Sequence, residues 1–263
     1  MDLNLTGKVV IVTGGAKGIG AAIVKALAAE GAVPVVVGRN EADNLRVTEE
    51  VVTGGGQAFQ VVAELQNPEH CKSAVEQVLA KYGRIDALVN NAGVNDGVGL
   101  ESGNYQAFID SLHKNVVHYY LMAHHALPSL KSAKGAILNI GSKVADTGQG
   151  GTSAYAASNG ARNALTREWA VELLPHGIRV NAVIVAECFT PLYKNWIQTF
   201  EDPEEKLRSI EQVIPLGNRM TTAEEIANTA LFLLSDKSSH TTGQLVYVDG
   251  GYVHLDRSLS TPK

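Results

Sequence analysis

Residues Lys8–Gly20 read Lys-Val-Val-Ile-Val-Thr-Gly-Gly-Ala-Lys-Gly-Ile-Gly, and this stretch decides the fold. Lys8 to Thr13 is a β-branched run of the kind buried on both faces of a sheet. Gly14-Gly15-Ala16-Lys17-Gly18-Ile19-Gly20 follows at once, and Ala21 to Glu30 then shows helical spacing, with Ile23, Val24, Leu27 and Ala28 on one side. Gly31 stops that helix and Val33 to Val37 is a second buried strand. Strand, glycine-rich turn, helix and strand in this order present a helix N-terminus and free backbone N–H groups to a phosphate. The spacing is Gly-x-x-x-Gly-x-Gly, with Gly14, Gly18 and Gly20 as its glycines and Ile19 between the last two.

The tip of the second strand sets the flavour of a bound dinucleotide. A carboxylate there would accept from the adenosine ribose 2′-hydroxyl, but the residues are Gly38-Arg39-Asn40, and Lys17 lies in the glycine turn. Two cations suit a 2′-phosphate, so NADP is the expected cofactor; NAD is the alternative if Arg39 only stacks on adenine and Lys17 is solvated.

The alternation continues outward. A helix is expected over 41–53, stopped by Gly54-Gly55-Gly56, then a strand over 58–63 ending in Glu64-Leu65, a helix over 68–82 and a strand over 87–90. Asn104 to Leu130 is a long helical region, 135–140 a strand, 155–174 a helix stopped by Pro175-His176-Gly177, and 179–184 a strand. Residues 186–215 read as an irregular aromatic segment carrying Phe189, Tyr193, Trp196 and Phe200, placed to act as a substrate lid. A helix over 222–234 with a Thr222 cap, a strand over 244–248 and a tail over 249–263 complete the chain. This predicts one α/β domain over residues 1–263, a doubly wound parallel sheet with helices on both faces.

Composition narrows the class. The 263 residues are 45% hydrophobic and 19% charged, with net charge −5 and no basic run, which argues against a nucleic-acid surface. No apolar run reaches the roughly 18 residues of a membrane span, and no secretory leader is evident at the start. Cys71 and Cys188 are far apart and read as free thiols, so a cytoplasmic protein is expected. His113, His118, His124 and His125 lack a carboxylate at a matching helical offset, so no metal site is expected.

Chemistry concentrates between Ser142 and Asn159. Ser142 follows an apolar strand, Tyr155 follows a glycine-rich link, and Asn159 shares a helical face with Tyr155. A hydroxyl that binds and a phenol that carries a proton suffice for carbonyl chemistry, but no cation stands one turn from the phenol.

Thr13-Gly14-(x)3-Gly18-Ile19-Gly20, Asn90-Asn91-Ala92-Gly93, Asn115, Ser142, Tyr155 and Asp249-Gly250-Gly251 together resemble the short-chain dehydrogenase/reductase family over nearly the whole chain. The resemblance implies a Rossmann-type sheet of about seven strands, a nicotinamide cofactor and reversible oxidation of an alcohol. It implies that Tyr155 is the acid/base, that Ser142 holds the substrate oxygen, that Asn115 anchors a water in the proton path, and that Asn159 completes this catalytic set. Its cofactor residues are Gly14, Lys17, Gly18, Ile19, Gly20, Arg39, Glu64, Leu65, Asn91, Ala92, Gly93, Tyr155, Asn159 and Thr190, with Asn90 also on the adenosine side. Asn91–Gly97, Gly148-Gln149-Gly150, Thr190–Trp196 and Gly251–Arg257 are similar to the sugar dehydrogenases, the L-fucose dehydrogenase group above all. That implies oxidation of L-fucose or a related aldose to the lactone, with Asn95, Ser142, Lys143, Gln149, Tyr155, Glu187 and Trp196 around the sugar. It also implies a homotetramer or homodimer whose tail reaches a neighbouring subunit's pocket.

Two positions depart from the family pattern: Asn159 stands where it has lysine, and Val185-Ala186 where it often has Pro-Gly. An ordinary phenol titrates near 10 and is a poor base at neutrality. The alternatives are therefore a 3-oxoacyl or other carbonyl reductase of the same family, or a catalytically weak cofactor-binding regulatory subunit.

Overall fold

In β1 (Val9–Thr13) every residue is buried, but alternate residues serve different layers. Val9 and Ile11 pack in one core and Val10 and Val12 in the other, the period-2 consequence of a strand covered on both faces. The structure is a computed structural model in which residues 2–256 are described. Strands β2 (Val33–Gly38), β3 (Phe59–Val62), β4 (Ala87–Asn90), β5 (Ala136–Ser142), β6 (Arg179–Val185) and β7 (Leu245–Val248) join β1 in one parallel sheet of order β3-β2-β1-β4-β5-β6-β7.

One layer is made by α3 (Pro68–Tyr82), α5 (His118–Ala133) and α6 (Ser153–Glu172), which bury Val75, Met122 and Trp169 against Ile11, Val35, Leu88 and Ile137. The other is made by α1 (Gly18–Ala29), α2 (Glu41–Thr53) and α9 (Ala223–Leu234), which bury Ile23, Leu27, Val47 and Ile226 against Val10, Val36, Val89 and Leu138. Each such side chain contributes roughly 1.5–3 kcal/mol on leaving water. The α9 start is a capping box: Thr222 Oγ1 accepts from Glu225 N, and the Glu225 carboxylate accepts from Thr222 N.

Strand order reverses between β1 and β4, so their carboxyl ends diverge and leave a crevice, the usual ligand position in such sheets. The expected α/β class and seven parallel strands are what the chain forms. The differences are local. Residues 191–211, expected to be irregular, hold α7 (Pro191–Ile197) and α8 (Pro203–Glu211), each opened by a capping side chain, Thr190 or Asp202, followed by proline. The helical region from Asn104 is broken into α4 (Tyr105–Leu112) and α5 by a π turn over His113–Val117. Strand β5 runs on to Ser142, and α6 begins at Ser153, so Tyr155 lies inside its first turn. Among the described residues, no helix is long and apolar enough to cross a membrane.

Candidate active site

The site begins where β1 ends. Thr13 Oγ1 accepts from the backbone N–H groups of Asn91 (2.9 Å) and Ala92 (3.1 Å), and Asn91 Nδ2 donates to the carbonyls of Thr13 (2.9 Å) and Gly14 (3.2 Å). The ends of β1 and β4 are thereby locked together beside the glycine turn. Gly20 is required by packing, because a Cβ there would lie 2.2 Å from the Gly14 carbonyl and 2.6 Å from Asn91 Nδ2. Gly14 and Gly18 have φ of +63° and +52°, the left-handed region that favours glycine. Lys17 at the N-cap of α1 makes no side-chain cap, which leaves the helix's first N–H groups for a phosphate.

From this turn a cleft of about 730 Å³ runs along the carboxyl ends of the strands, a size that suits a dinucleotide and a small substrate. Gly14, Lys17, Gly18, Ile19, Arg39, Glu64, Leu65, Asn91, Ala92, Gly93, Ser142, Tyr155 and Thr190 all line it, so most of the expected residues converge. Val185 and Ala186 line it too. Thr190 caps α7 by accepting from Tyr193 N at 3.2 Å, and its methyl sits 3.1 Å from where a Cβ of Gly18 would be, so the aromatic segment rests on the glycine turn. The cradle, the uncapped helix and the cleft fit a nicotinamide dinucleotide.

Several expectations need correction in detail. Asn90 does not face adenosine: it is fully buried and donates to Asn139 Oδ1 (3.1 Å) and the Tyr119 carbonyl (3.3 Å). Lys17 and Arg39 are not free cations. Lys17 pairs with Asp43 at 2.6 Å and Arg39 with Glu64 at 3.6 Å, so that corner carries little net charge.

At the reacting end, Ser142 closes β5 and its Oγ accepts weakly from Val144 N at 3.5 Å. Asn159 is buried: Nδ2 donates back to the Tyr155 carbonyl (2.9 Å), and Oδ1 accepts from Arg162 (3.1 Å). Asn115 is also buried. Its Oδ1 accepts from Val94 N (2.8 Å), its Nδ2 donates to the Ser111 carbonyl (3.0 Å), and its own carbonyl accepts Arg162 Nε (2.7 Å). Arg162, on the wall of the cleft, escaped the sequence reading; the polar stripe Tyr155, Asn159, Arg162 at helical spacing was its signal. Beside it, burial and then the Arg162 cation lower His118 to about 3, so this imidazole is neutral at ordinary pH. Burial raises the Tyr119 phenol to about 12.

On the substrate side, Lys143 and Glu187 form an ion pair with each other. Tyr252 from the tail covers the ammonium, its ring centroid 3.9 Å from Nζ, so the described tail folds over its own subunit. Arg257 and the residues after it lie outside the described chain. The Tyr193 phenol lies against Glu187, and burial followed by that carboxylate raises it. Trp196 is 45% exposed in a row of edge-on rings with Tyr193 and Phe200. Asn95 and Gln149 are exposed; Asn95 Oδ1 is engaged by Gly97 N at 3.3 Å. Cys188 lines the cleft, but burial pushes its thiol up to about 12, which removes it as a nucleophile.

Known proteins are similar to this chain over most of its length. A family described as enoyl-(acyl carrier protein) reductase matches residues 14–253. L-fucose dehydrogenase of Bos taurus is 34% identical over 252 residues, 95% of this chain and 91% of that protein. The 3-oxoacyl-[acyl-carrier-protein] reductase of Thermotoga maritima is 37% identical over 255 residues, 95% of this chain and 100% of that protein. The crystal structure of Cj0485 dehydrogenase superposes with a TM-score of 0.94 at 46% identity, covering 100% of both chains.

Proposed function

Because the chain belongs to the short-chain dehydrogenase/reductase family of nicotinamide-dependent oxidoreductases, we propose that it oxidises the anomeric hydroxyl of L-fucose or a related aldose to the lactone. The observation that carries this reading is the polar cluster that follows Ser142 in the chain and reaches the cleft through Tyr193. A largely buried Lys143–Glu187 ion pair, with the Tyr193 phenol on the carboxylate and the Tyr252 ring on the ammonium, suits a hydroxyl-rich substrate. A sugar can use the hydrogen-bonding capacity these groups keep beyond their own pairing, which an acyl chain cannot. The similarity to L-fucose dehydrogenase supports the same reading.

In this account Ser142 Oγ donates to the reacting oxygen and Tyr155 takes its proton as the C–H hydride departs. A bound nicotinamide supplies the hydride acceptor. The first turn of α1 and the turn at Gly14–Gly18 would hold its phosphates, and Thr190 and Gly93 would flank its ribose and amide, while Asn159, fully buried and paired with Tyr155 and Arg162, would act only from behind them. Tyr155 lies in the first turn of a 20-residue helix, the end at which the dipole favours negative charge on a substrate or side chain. NADP is the proposed cofactor. Arg39 is 75% exposed and held by one long ion pair, so it can turn from Glu64 to a 2′-phosphate.

The test is turnover with L-fucose and related aldoses, using NADP and NAD, followed by nicotinamide absorbance. Oxidation of at least one aldose is expected. Reduction of a 3-oxoacyl thioester with no oxidation of any aldose would replace this reading with the reductase one, which the Thermotoga maritima relative favours.

A further inference from the structure

Arg162 is 3% exposed, and no carboxylate among the described residues lies within ion-pair distance of it. Such a cation is expensive to bury unless something answers its charge. Neutral dipoles surround it: Nε donates to the Asn115 carbonyl at 2.7 Å, and Nη1 to the Ile140 carbonyl and Asn159 Oδ1, each at 3.1 Å. Its guanidinium carbon lies 4.3 Å from the Tyr119 ring centroid. The fold makes room for it, since a Cβ at Gly93 would stand 2.7 Å from Nη2. The Asn115 carbonyl that receives Nε belongs to the π turn, a distortion often found at working sites.

Arg162 and Tyr155 lie on one face of α6 and both line the cleft. Arg162 follows Tyr155 by two turns, about 10.5 Å along the axis, and side chains lean toward the helix N-terminus. The bond to Asn159 Oδ1 confirms that lean, bringing the guanidinium back by one turn. We propose that Arg162 is the positioning residue that supplies the fixed positive charge needed for the Tyr155 phenol to act as a base near neutrality, in place of a cation at residue 159. This rests on the reading of Tyr155 as the proton-transfer group.

The other charged groups facing this corner are spoken for. Lys114 of the π turn pairs with Asp96 at 3.3 Å, Lys143 pairs with Glu187, and His118 is neutral. Tyr119 stands directly against Arg162, its ring facing the guanidinium. A guanidinium is a fixed charge, so it stabilises an anion without carrying a proton. The substrate O–H proton passes to the phenolate oxygen and then to solvent, while the C–H electron pair leaves as hydride to the cofactor.

The experiment titrates the Tyr155 phenol by near-ultraviolet difference absorbance against Tyr155→Phe, in the full chain without substrate. Arg162→Met is expected to raise that pKa by about 1–3 units. The basic limb of kcat/KM should move by the same amount, with a fall of about 10–1000-fold at pH values below it. Arg162→Lys, which keeps the charge, should restore most of both, and it carries the test if Arg162→Met does not fold. Folded Arg162→Met protein that binds cofactor and leaves phenol and limb in place overturns the inference. So does folded Arg162→Lys protein whose phenol titrates no differently from that of folded Arg162→Gln protein. A phenol that responds to Arg162 in a chain that oxidises no aldose supports this inference and overturns the sugar reading alone.

Discussion

Restoring a lysine at residue 159 should harm this protein, not improve it. Asn159 Oδ1 is 3.1 Å from Arg162 Nη1 in a fully buried setting, so Asn159→Lys places an ammonium against a guanidinium with no intervening anion. At a separation of about 5 Å and an effective dielectric near 20, the repulsion is about 3 kcal/mol, equivalent to about two pKa units. The introduced ammonium would titrate near 8 in the folded chain and near 10.4 unfolded. Between those values the unfolded chain binds more protons, so the variant recovers stability as pH rises through that window and is most destabilised below it. Thermal unfolding at pH 7 should drop by roughly 6–12 °C, with no gain in kcat/KM. Arg162→Met in the Asn159→Lys background should remove the clash and recover both stability and turnover. A single Asn159→Lys variant as stable as the parent, or at least tenfold more active, would refute the reasoning.

Further expectations follow from the same contacts. Gly93→Ala places a methyl 2.7 Å from Arg162 Nη2 and 2.9 Å from Asn115 Oδ1; a loss of about 1–3 kcal/mol in urea unfolding is expected, together with an alkaline shift of the kcat/KM limb. Arg39→Asp should move preference from NADP toward NAD, read as the ratio of kcat/KM values; an unchanged ratio removes Arg39 from cofactor choice. His118, held at about 3 against an ordinary 6.5, is protonated in the unfolded chain before the folded one. Stability therefore falls as pH drops from 6.5 toward 3, and His118→Gln should flatten that fall in pH-dependent unfolding.

Much of this was legible in the chain itself. The run Val9–Thr13 followed by Gly14, Gly18 and Gly20 pointed to a phosphate-binding turn, because burial on two faces and a glycine turn have few other uses. Ser142 was legible at the end of an apolar strand and Tyr155 after a glycine-rich link, and the structure sets both on the cleft. What was not legible depends on partners distant in sequence. Arg39 and Lys17 looked free until the fold brought Glu64 and Asp43 to them. Lys143 and Glu187, expected to face a sugar, are 44 residues apart and meet each other. Asn90 sits beside cofactor-lining residues in sequence, yet strand alternation turns it into the layer with Tyr119. The π turn has no local sequence signal, and without it the Asn115 carbonyl and Arg162 could not have been connected. The α7 and α8 helices were readable from Thr190-Pro191 and Asp202-Pro203, but the aromatic residues drew the reading toward a loop.

The central claim is that this chain performs alcohol oxidation through Tyr155 although residue 159 bears no charge. It is tested most directly by measuring kcat for L-fucose and related aldoses alongside cofactor affinity, for the chain and for Tyr155→Phe. The account predicts turnover by the chain, a loss of about 10²–10⁴-fold in Tyr155→Phe, and cofactor binding unchanged between the two. Cofactor binding with no turnover of any alcohol by the parent chain would contradict it.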